Sequence, residues 1–321
     1  MKTANNTTTL KSFLMRTEVS MVAIISVLFA VASFGTQNFL TEYNLTNILK
    51  QCSIIGVISI AQTFIIITGN IDISCGAVVG MSTLMVAMGQ TQWGLGIWGS
   101  ILLAIAVAVF AGLFNATLIH NFNVPAFVAT LGSQTILRGL IKVISNGGTV
   151  SGLERSFMEF ASSSIGPLPK LALVWFVIAI LCYLILKYTV FGRNLFVLGS
   201  GEEVAKLNGI SIFKTKFGVY AFAGLLYGIA GVMLCARINS AIPTAGEAYE
   251  TNAIAASVLG GASMSGGAGS VLGTLLGTVL IILIDNIGTQ FGIGAFVMQV
   301  VTGCVIVAAI VIDQLKKKNK R

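Results

Sequence analysis

Ionisable residues that interrupt apolar stretches are the first candidates for a chemical role: Asp72, Arg138, Lys142 and Asp285. In a membrane protein such residues face a cavity or a partner group, because a charge in hydrocarbon is costly. Asp72 either faces a cavity or caps the following helix by accepting backbone N–H bonds. Arg138 and Lys142 stand four residues apart, so they either line one polar face or extend outward to the interface. Asp285 stands near the end of an apolar run, where contact with solvent is the simplest explanation.

The residue types that enzymes use form no recognisable catalytic pattern. The sequence contains no Gly-Lys-Ser or Gly-Lys-Thr of a P-loop, no His-Glu-x-x-His and no Gly-x-Ser-x-Gly. The single His120 ends an apolar run and is expected to lie at a membrane interface. The 5 Cys are scattered without metal-ligand spacing and are expected to pack as small apolar residues. The sequence therefore predicts a non-catalytic protein that requires no cofactor and no metal.

The amino-acid composition indicates whether the chain folds in water or in a membrane. Hydrophobic residues make up 55% of the 321 residues and charged residues only 9%, against about 25% charged in an average soluble domain. This excludes a soluble enzyme, a disordered chain and a disulfide scaffold. The net charge of +8 comes from short clusters of Lys and Arg between apolar runs. That distribution is typical of loops beside membrane spans and argues against a nucleic-acid partner.

Apolar runs long enough to cross a bilayer define the elements that position the candidate residues. Clear runs occupy 19–35, 51–68, 97–119, 171–188, 216–237, 269–286 and 293–312, and shorter ones 76–90, 126–144 and 252–262. The predicted fold is therefore all-α, a polytopic membrane protein with about ten transmembrane helices, some of them broken. We expect residues 1–321 to form a single transmembrane permease domain.

Basic clusters predict how these helices are oriented in the membrane. The N-terminus, the long middle loop and the C-terminus are all basic, through Lys2, Lys11, Arg16, Lys187, Arg193, Lys206, Lys214, Lys216, Lys316, Lys317, Lys318, Lys320 and Arg321. All three regions are expected in the cytoplasm, with six crossings before the middle loop and four after it. A cleaved signal peptide is the alternative for the first span, since 30–32 resembles a cleavage site.

A short internal repeat relates two interrupted segments of the chain, 69–76 and 260–267. Both read Gly-x-x-polar-apolar-Ser-x-Gly and both precede a Gly-rich helix. Interrupted segments at matching positions often mark the pathway of a transporter, although shared turn chemistry also explains so short a match. The candidate pathway residues in the two loops are Asn70, Asp72, Ser74, Ser263 and Ser265. The Gly pairs at four-residue spacing nearby are expected to pack helices closely.

The middle cytoplasmic loop contains a short helix with clear start and stop signals. Ser200 and Glu203 have capping-box spacing, so each is expected to bond the backbone N–H of the other. Ala205 contributes to a small apolar surface, and Gly209 suits a left-handed stop. A helix terminated in this way inside a loop is suited to docking another protein. On the opposite side, Arg237 and Glu250 flank a loop that ends at Glu247 and is expected to face outside, where these residues either dock a partner or mark the interface.

Several blocks of the chain resemble one protein family. The stretch from Glu203 to Gly209 resembles the Glu-Ala-Ala-x-x-x-Gly motif of ABC importer permeases, and 192–210 resembles the ribose-type sugar permeases. Further similar blocks lie at 69–76, 124–131, 137–139, 243–246 and 249–261. The resemblance covers about 40–313. The chain departs from the family's usual residues at Asn70, Ile73, Cys75, Val204, Asn252 and Asp285, and this last position is usually a neutral Asn.

The resemblance implies a binding-protein-dependent importer of the bacterial inner membrane. Two permease copies would form the pathway, separate cytoplasmic ATPase subunits would drive it, and an external binding protein would deliver a monosaccharide, with ribose expected first. Ser200, Glu202, Glu203, Ala205 and Gly209 would belong to the coupling helix that transmits ATPase motion. Xylose, galactose, inositol or a furanose signal molecule remain alternative cargoes. An ion-driven secondary transporter is the alternative class, although the sparse buried carboxylates and the capped cytoplasmic helix count against it.

Overall fold

A computed structural model describes residues 17–318 of the chain. Its first half contains the helices α1 (Thr17–Gly35), α2 (Glu42–Ile67), α3 (Cys75–Thr91), α4 (Gly96–Asn121), α5 (Ala126–Ile144) and α6 (Arg155–Ser162). Its second half contains α7 (Lys170–Tyr188), α8 (Val190–Ser200), α9 (Glu202–Leu207), α10 (Ile212–Ile238), α11 (Tyr249–Leu259), α12 (Val271–Gln290) and α13 (Ala295–Lys318). The predictions for Lys2, Lys11, Arg16, Lys320 and Arg321 lie outside the described residues.

Strands in the described part of the chain are limited to four two-residue segments. They are β1 (Val150–Ser151), β2 (Ser164–Ile165), β3 (Leu168–Pro169) and β4 (Ser240–Ala241). Antiparallel pairing joins β1 to β4, with Val150 opposite Ala241, and β2 to β3. The β1–β4 pair ties the loop after α5 to the loop after α10. The protein is therefore an all-α polytopic membrane protein, as its composition predicts.

Each of the ten predicted apolar segments coincides with a helix. Seven helices of the described residues are long and apolar enough to cross a membrane, and 75–91 and 296–305 are shorter apolar helices. The largest error is at the start of α2, which begins at Glu42 rather than near residue 51. Thr41 caps this end by accepting the N–H of Asn44, and the buried Asn44 amide pairs with Asn286 of α12. Paired polar groups therefore extend a helix beyond its apolar run.

The core of the molecule is built around α2 and α10. The most apolar stretch of α2 is 89% buried, whereas that of α1 is only 11% buried. Close approach between α10 and α4 depends on glycine: a Cβ at Gly224 would lie 2.5 Å from the Ala108 carbonyl oxygen. Gly228, one turn later, faces Ile105 in the same way. The predicted packing role of this Gly pair is confirmed, and it follows from the value of close backbone contact in lipid.

Candidate functional site

The first candidate site is the connection between α7 and α10, formed by α8 and α9. These two helices meet at Gly201, whose φ of 142° breaks the path between them. The predicted capping box is wrong. Ser200 is the last residue of α8, and its hydroxyl donates to the Phe196 carbonyl at 3.0 Å. The position before Glu202 is occupied by Gly201, which provides no side-chain cap. The Ser200 hydroxyl therefore completes the preceding helix and does not start the next.

The predicted stop at Gly209 is confirmed. Gly209 adopts φ 70°, its N–H donates to the Lys206 carbonyl, and the Ile210 N–H donates to the Ala205 carbonyl at 2.9 Å. This pair of bonds is the Schellman arrangement, which satisfies the free carbonyls at a helix end. Ile210 also packs on the small cluster that contains buried Ala205. The exit of α9 is therefore fixed by backbone bonds and one apolar contact.

The outer face of α9 carries two exposed apolar side chains among exposed charged ones. The Leu207 side chain is 88% exposed and Val204 is 42% exposed, while Ala205 on the other face is fully buried against Leu198 and Ile212. Glu202 forms an ion pair with Lys216 of α10, with 2.6 Å between the carboxylate oxygen and the Lys216 Nζ. The hydrogen bond from Lys216 holds the pKa of Glu202 below its usual range. The segment is thus anchored through one face and presents apolar groups on the other.

The α8 helix connects this segment directly to both interrupted loops of the transmembrane core. Gly199 packs against the end of α2, where a Cβ would collide with the Ile67 carbonyl and lie 2.5 Å from the Gly267 nitrogen. The Gly267 N–H donates to the same Ile67 carbonyl at 2.9 Å. The two segments with the repeated pattern therefore lie side by side, in contact with α8. A displacement of α8 would be felt at both.

A buried polar network surrounds Asp72 in the first interrupted loop. Asp72 is 1% exposed and its carboxylate accepts the Ser74 N–H at 2.8 Å and the Ser74 hydroxyl at 2.6 Å. The Asn115 amide of α4 donates to the Ser74 hydroxyl at 2.9 Å, and Ser133 of α5 donates to the Asn115 carbonyl oxygen. Asp72 thus accepts a backbone N–H just before α3, but it is an interior group that links three helices.

Gln62 of α2 holds the backbone of the same loop. In the amide orientation that satisfies its neighbours, Gln62 accepts the Asp72 N–H at 3.1 Å and donates to the Asp72 carbonyl at 3.2 Å. Its amide also donates to the Tyr227 hydroxyl of α10 at 3.0 Å. Buried polar groups are stable only when paired, so these bonds fix the break between α2 and α3. The network is suited to positioning the loop rather than to acid–base chemistry.

The other predicted pathway residues occupy the same pair of loops. Asn70 is partly buried and its amide donates to the Thr68 hydroxyl at 3.0 Å. Ser263 is 6% exposed, and its N–H closes the second loop on the Ala268 carbonyl. Ser265 lies in the same loop, and its carbonyl oxygen would be 3.8 Å from a Cβ at Gly69. These residues are brought together, and a role in the pathway stays a prediction.

The predicted external residues are divided between surface and interior. Glu247 is exposed, while Glu250 is partly buried and accepts the Gln134 amide at 3.2 Å. Arg237 lines a cavity of about 140 Å³ together with Lys50 and Asn239. Arg138 of α5 donates to the Ala245 carbonyl at 2.6 Å and so stabilises the turn that leads into α11. Lys142, one turn later on α5, is exposed. The two cations of α5 do not share one role.

Sequence reasoning missed a larger polar cavity. It has a volume of about 690 Å³ and lies between α2, α11, α12 and α13, and Asp285 is in its wall. Asp285 is half-buried in the wall of this open cavity, and its contact with solvent near a span end stays a prediction. Asn252 lines the same space. Asn252 and Asp285 both differ from the residues usual in the family, and this difference was the only feature of the sequence that pointed to the cavity. No group of three metal-ligating side chains occurs among the described residues.

Comparison with known proteins identifies the family. The model of a permease component, described as "Branched-chain amino acid transport system / permease component", matches residues 44–310. The ribose import permease protein of Bacillus subtilis is 36% identical over 292 residues, covering 90% of each chain. The Escherichia coli K12 ribose import permease protein is 34% identical over 313 residues, covering 96% of each chain. The Haemophilus influenzae xylose transport system permease protein is 30% identical, covering 93% of this chain and 95% of its own.

These matches extend through the α8–α9 segment, both interrupted loops and the walls of the polar cavity. The family match is therefore not confined to a shared apolar pattern at a few spans. This chain belongs to the family of ribose-type permease components of ABC importers, and it is a multi-pass protein of the inner membrane.

Proposed function

We propose that this protein is the non-catalytic, transmembrane subunit of an ABC importer for a monosaccharide, with ribose as the first candidate. The relatives with the names ribose and xylose permease support a sugar as cargo. Xylose, galactose, inositol and a furanose signal molecule are the alternatives. ATP hydrolysis is assigned to separate subunits, because the sequence has no P-loop. Residues 1–321 are taken as one permease domain.

The main observation in support of this proposal is that two apolar side chains of α9, Val204 and Leu207, are exposed. Leu207 and Val204 lie on a helix that is anchored at Ala205 and closed at Gly209. An exposed apolar group on a rigid, well-terminated helix is suited to a pocket on a partner. We propose that Ser200, Glu202, Glu203, Ala205 and Gly209 belong to the coupling helix, and that α9 docks on the ATPase. Motion of α9 then passes through Gly199 to the two interrupted loops.

This assignment sets the orientation of the other surfaces. With α8 and α9 in the cytoplasm, both chain termini are cytoplasmic and the β1–β4 pair lies outside. Arg237, Glu247 and Glu250 then lie on the side where an external sugar-binding protein docks. A second permease copy, identical or related, completes the pathway. The cavity of about 380 Å³ lined by Lys187 and Arg193 is suited to the headgroup of an anionic membrane lipid.

A secondary transporter driven by an ion gradient is the competing function. Its favouring observation is Asp72, a fully buried carboxylate in an interrupted segment. Its hydrogen bonds to Ser74 and the packing around it favour a structural role instead. The two functions differ in whether an ATPase is required.

Uptake of radiolabelled ribose into proteoliposomes separates the two functions. The vesicles contain the chain with its ATPase and binding protein, and either partner is omitted in the controls. We expect accumulation that requires ATP and both partners. Accumulation by the chain alone under a proton or sodium gradient would establish the secondary transporter and contradict the importer. Xylose and galactose are tested in parallel to identify the cargo.

A further inference from the structure

The cavity between α2, α11, α12 and α13 is lined by six uncharged hydrogen-bonding side chains and one carboxylate, beside the apolar residues Ala248, Ile293 and Met298. Amides are provided by Gln51, Asn252 and Gln299, and hydroxyls by Thr251, Thr289 and Thr302. Together they offer both donors and acceptors to a ligand. The volume of about 690 Å³ is in the range of small-molecule sites, which is roughly 300–1,000 Å³. This lining suits a solute that carries several hydroxyl groups.

Asp285 provides the only charge in the described wall of this cavity. Among the described residues no Lys, Arg or His lines it, so an anionic solute would meet a carboxylate without a compensating cation. The Thr302 side chain hydrogen bonds with this carboxylate. Removing an anion from water without a partner charge is unfavourable. The cavity therefore discriminates by charge as well as by hydrogen bonding.

A second cavity on the same side of the molecule has the opposite charge. It has a volume of about 140 Å³ and is lined by Lys50 and Arg237, with Asn47 and Ser162 beside them. None of the described residues in its wall is acidic. The two cavities therefore provide an internal comparison, since the same charged probe should respond to them in opposite directions.

We propose that the larger cavity is a binding subsite for a neutral or cationic polyhydroxylated solute, and that Asp285 excludes sugar acids from it. The carboxylate accepts hydroxyl hydrogen bonds from a neutral solute and repels a carboxylate on the solute. Such repulsion is an effective source of specificity. The proposal deepens the assignment of a monosaccharide importer and rests on it for the identity of the cargo, but not for the charge of the site.

Thiol labelling tests the charge of the cavity without transport. A cysteine replaces exposed Thr289 in a Cys304→Ser background, since the four remaining cysteines are buried. We expect the ratio of cationic to anionic methanethiosulfonate rates to be about tenfold higher than for a free thiol in solution, from the attraction of one nearby charge. Asp285→Asn should return the ratio to the free-thiol value and Asp285→Glu should retain the increase. A cysteine at Ser162, in the second cavity, should show the opposite preference.

Protection of the same cysteine tests the ligand. Millimolar ribose should slow labelling of the Thr289→Cys variant by an uncharged reagent, while ribonate should not. Adding Asp285→Asn should allow ribonate to protect as well as ribose. Equal protection by ribose and ribonate with Asp285 present, or protection by neither, would overturn the proposal. Failure of ATP-dependent uptake alone would contradict the importer function and leave the charge selection measured here intact.

Discussion

The interior around Asp72 and the segment of α8 and α9 differ in the side chains that they leave without contacts: the first pairs buried polar groups, and the second exposes apolar side chains. Around Asp72, buried polar groups from four helices pair with one another: Gln62, Asn115, Ser133 and Tyr227. On α9, apolar Leu207 and Val204 are exposed and unmatched by neighbours that would cover them. These groups satisfy one another because no water is available in the membrane interior. The segment leaves apolar surface open, as expected for a surface that a partner covers.

The contact between these two regions shows how a displacement of one could reach the other. It is made by backbone atoms, where Gly199 of α8 meets Ile67 and Gly267 without any intervening side chain. Close-packed backbone contacts transmit displacement, since interiors yield little to compression. The comparison therefore distinguishes three parts: a rigid interior, a docking surface and a tight joint between them. Each part has a variant that should affect it selectively.

Substitution at the joint should have the largest effect. A β-branched side chain in Gly199→Val would collide with the Ile67 carbonyl and force α8 away from both loops. We expect a destabilisation of about 3 kcal/mol, the upper end of the usual cost of overpacking. The midpoint of unfolding in detergent measures it. Gly132→Val in α5, where an added Cβ would meet open space, is the matched control and should shift the midpoint much less.

Removal of the Asp72 carboxylate should cause the next largest loss of folding stability, because it disrupts the buried polar network. Asp72→Ala removes the acceptor of the Ser74 N–H and hydroxyl, and unpaired buried donors cost about 1–3 kcal/mol. Asp72→Asn keeps one acceptor oxygen and should lose less than half as much stability. Thermal unfolding of both variants gives the comparison. Equal loss in the two variants would mean that the negative charge matters and the hydrogen bonds do not.

A charge on the docking surface should change partner binding but not stability. Leu207→Glu places a carboxylate on a side chain that is 88% exposed, so we expect less than about 0.5 kcal/mol change in unfolding. Affinity for the ATPase subunit should fall about tenfold or more, as for a buried anchor of an interface. Titration of the ATPase onto the permease in nanodiscs measures this. Leu95→Glu, on the exposed loop after α3, is the control that should bind normally.

The ion pair at the base of α9 should have the smallest effect. The pKa of Glu202 is lowered by its hydrogen bond with Lys216, so the pair stabilises the fold above the unfolded carboxyl pKa of about 4.3. That contribution is lost as the pH falls through the lower folded pKa. Because Glu202 is half exposed, Glu202→Gln should cost less than about 1 kcal/mol at pH 7. A cost that stays the same at pH 3 would contradict the electrostatic origin.

The helices of the core are predictable from sequence, because apolar length and a following turn define them locally. The segment 126–144 matches α5 at both ends. The stop of α9 is also local, since Gly209 alone provides the left-handed residue. The role of Ser200 was predicted wrongly because the polar residues Arg193 and Asn194 make α8 resemble a loop in the sequence. Ser200, which ends α8, therefore resembles a cap of the next helix. Propensity at a junction does not decide which helix uses the hydroxyl.

The polar cavity could not be predicted from sequence for a different reason. Gln51, Asn252 and Asp285 belong to three helices separated by long stretches of chain, and Gln299 belongs to the helix that follows α12 after a short connection. Their proximity depends on how α11 packs beside α2, where the Ser257 hydroxyl donates to the Ser59 carbonyl. No spacing in the sequence encodes such a contact. The departures from the family pattern at Asn252 and Asp285 mark the position but do not reveal the cavity.

The central claim is that α9 couples the permease to its ATPase, and Gly209→Val tests it most directly. A β-branched residue opposes the φ of 70° and opens the Schellman end of α9. Gly147→Val is the matched control, because Gly147 has φ 69° and open surroundings in the loop after α5. ATP-dependent sugar uptake and ATP hydrolysis are measured together in the complete transporter. The account predicts that Gly209→Val loses uptake while Gly147→Val keeps it, and normal uptake by Gly209→Val would contradict it.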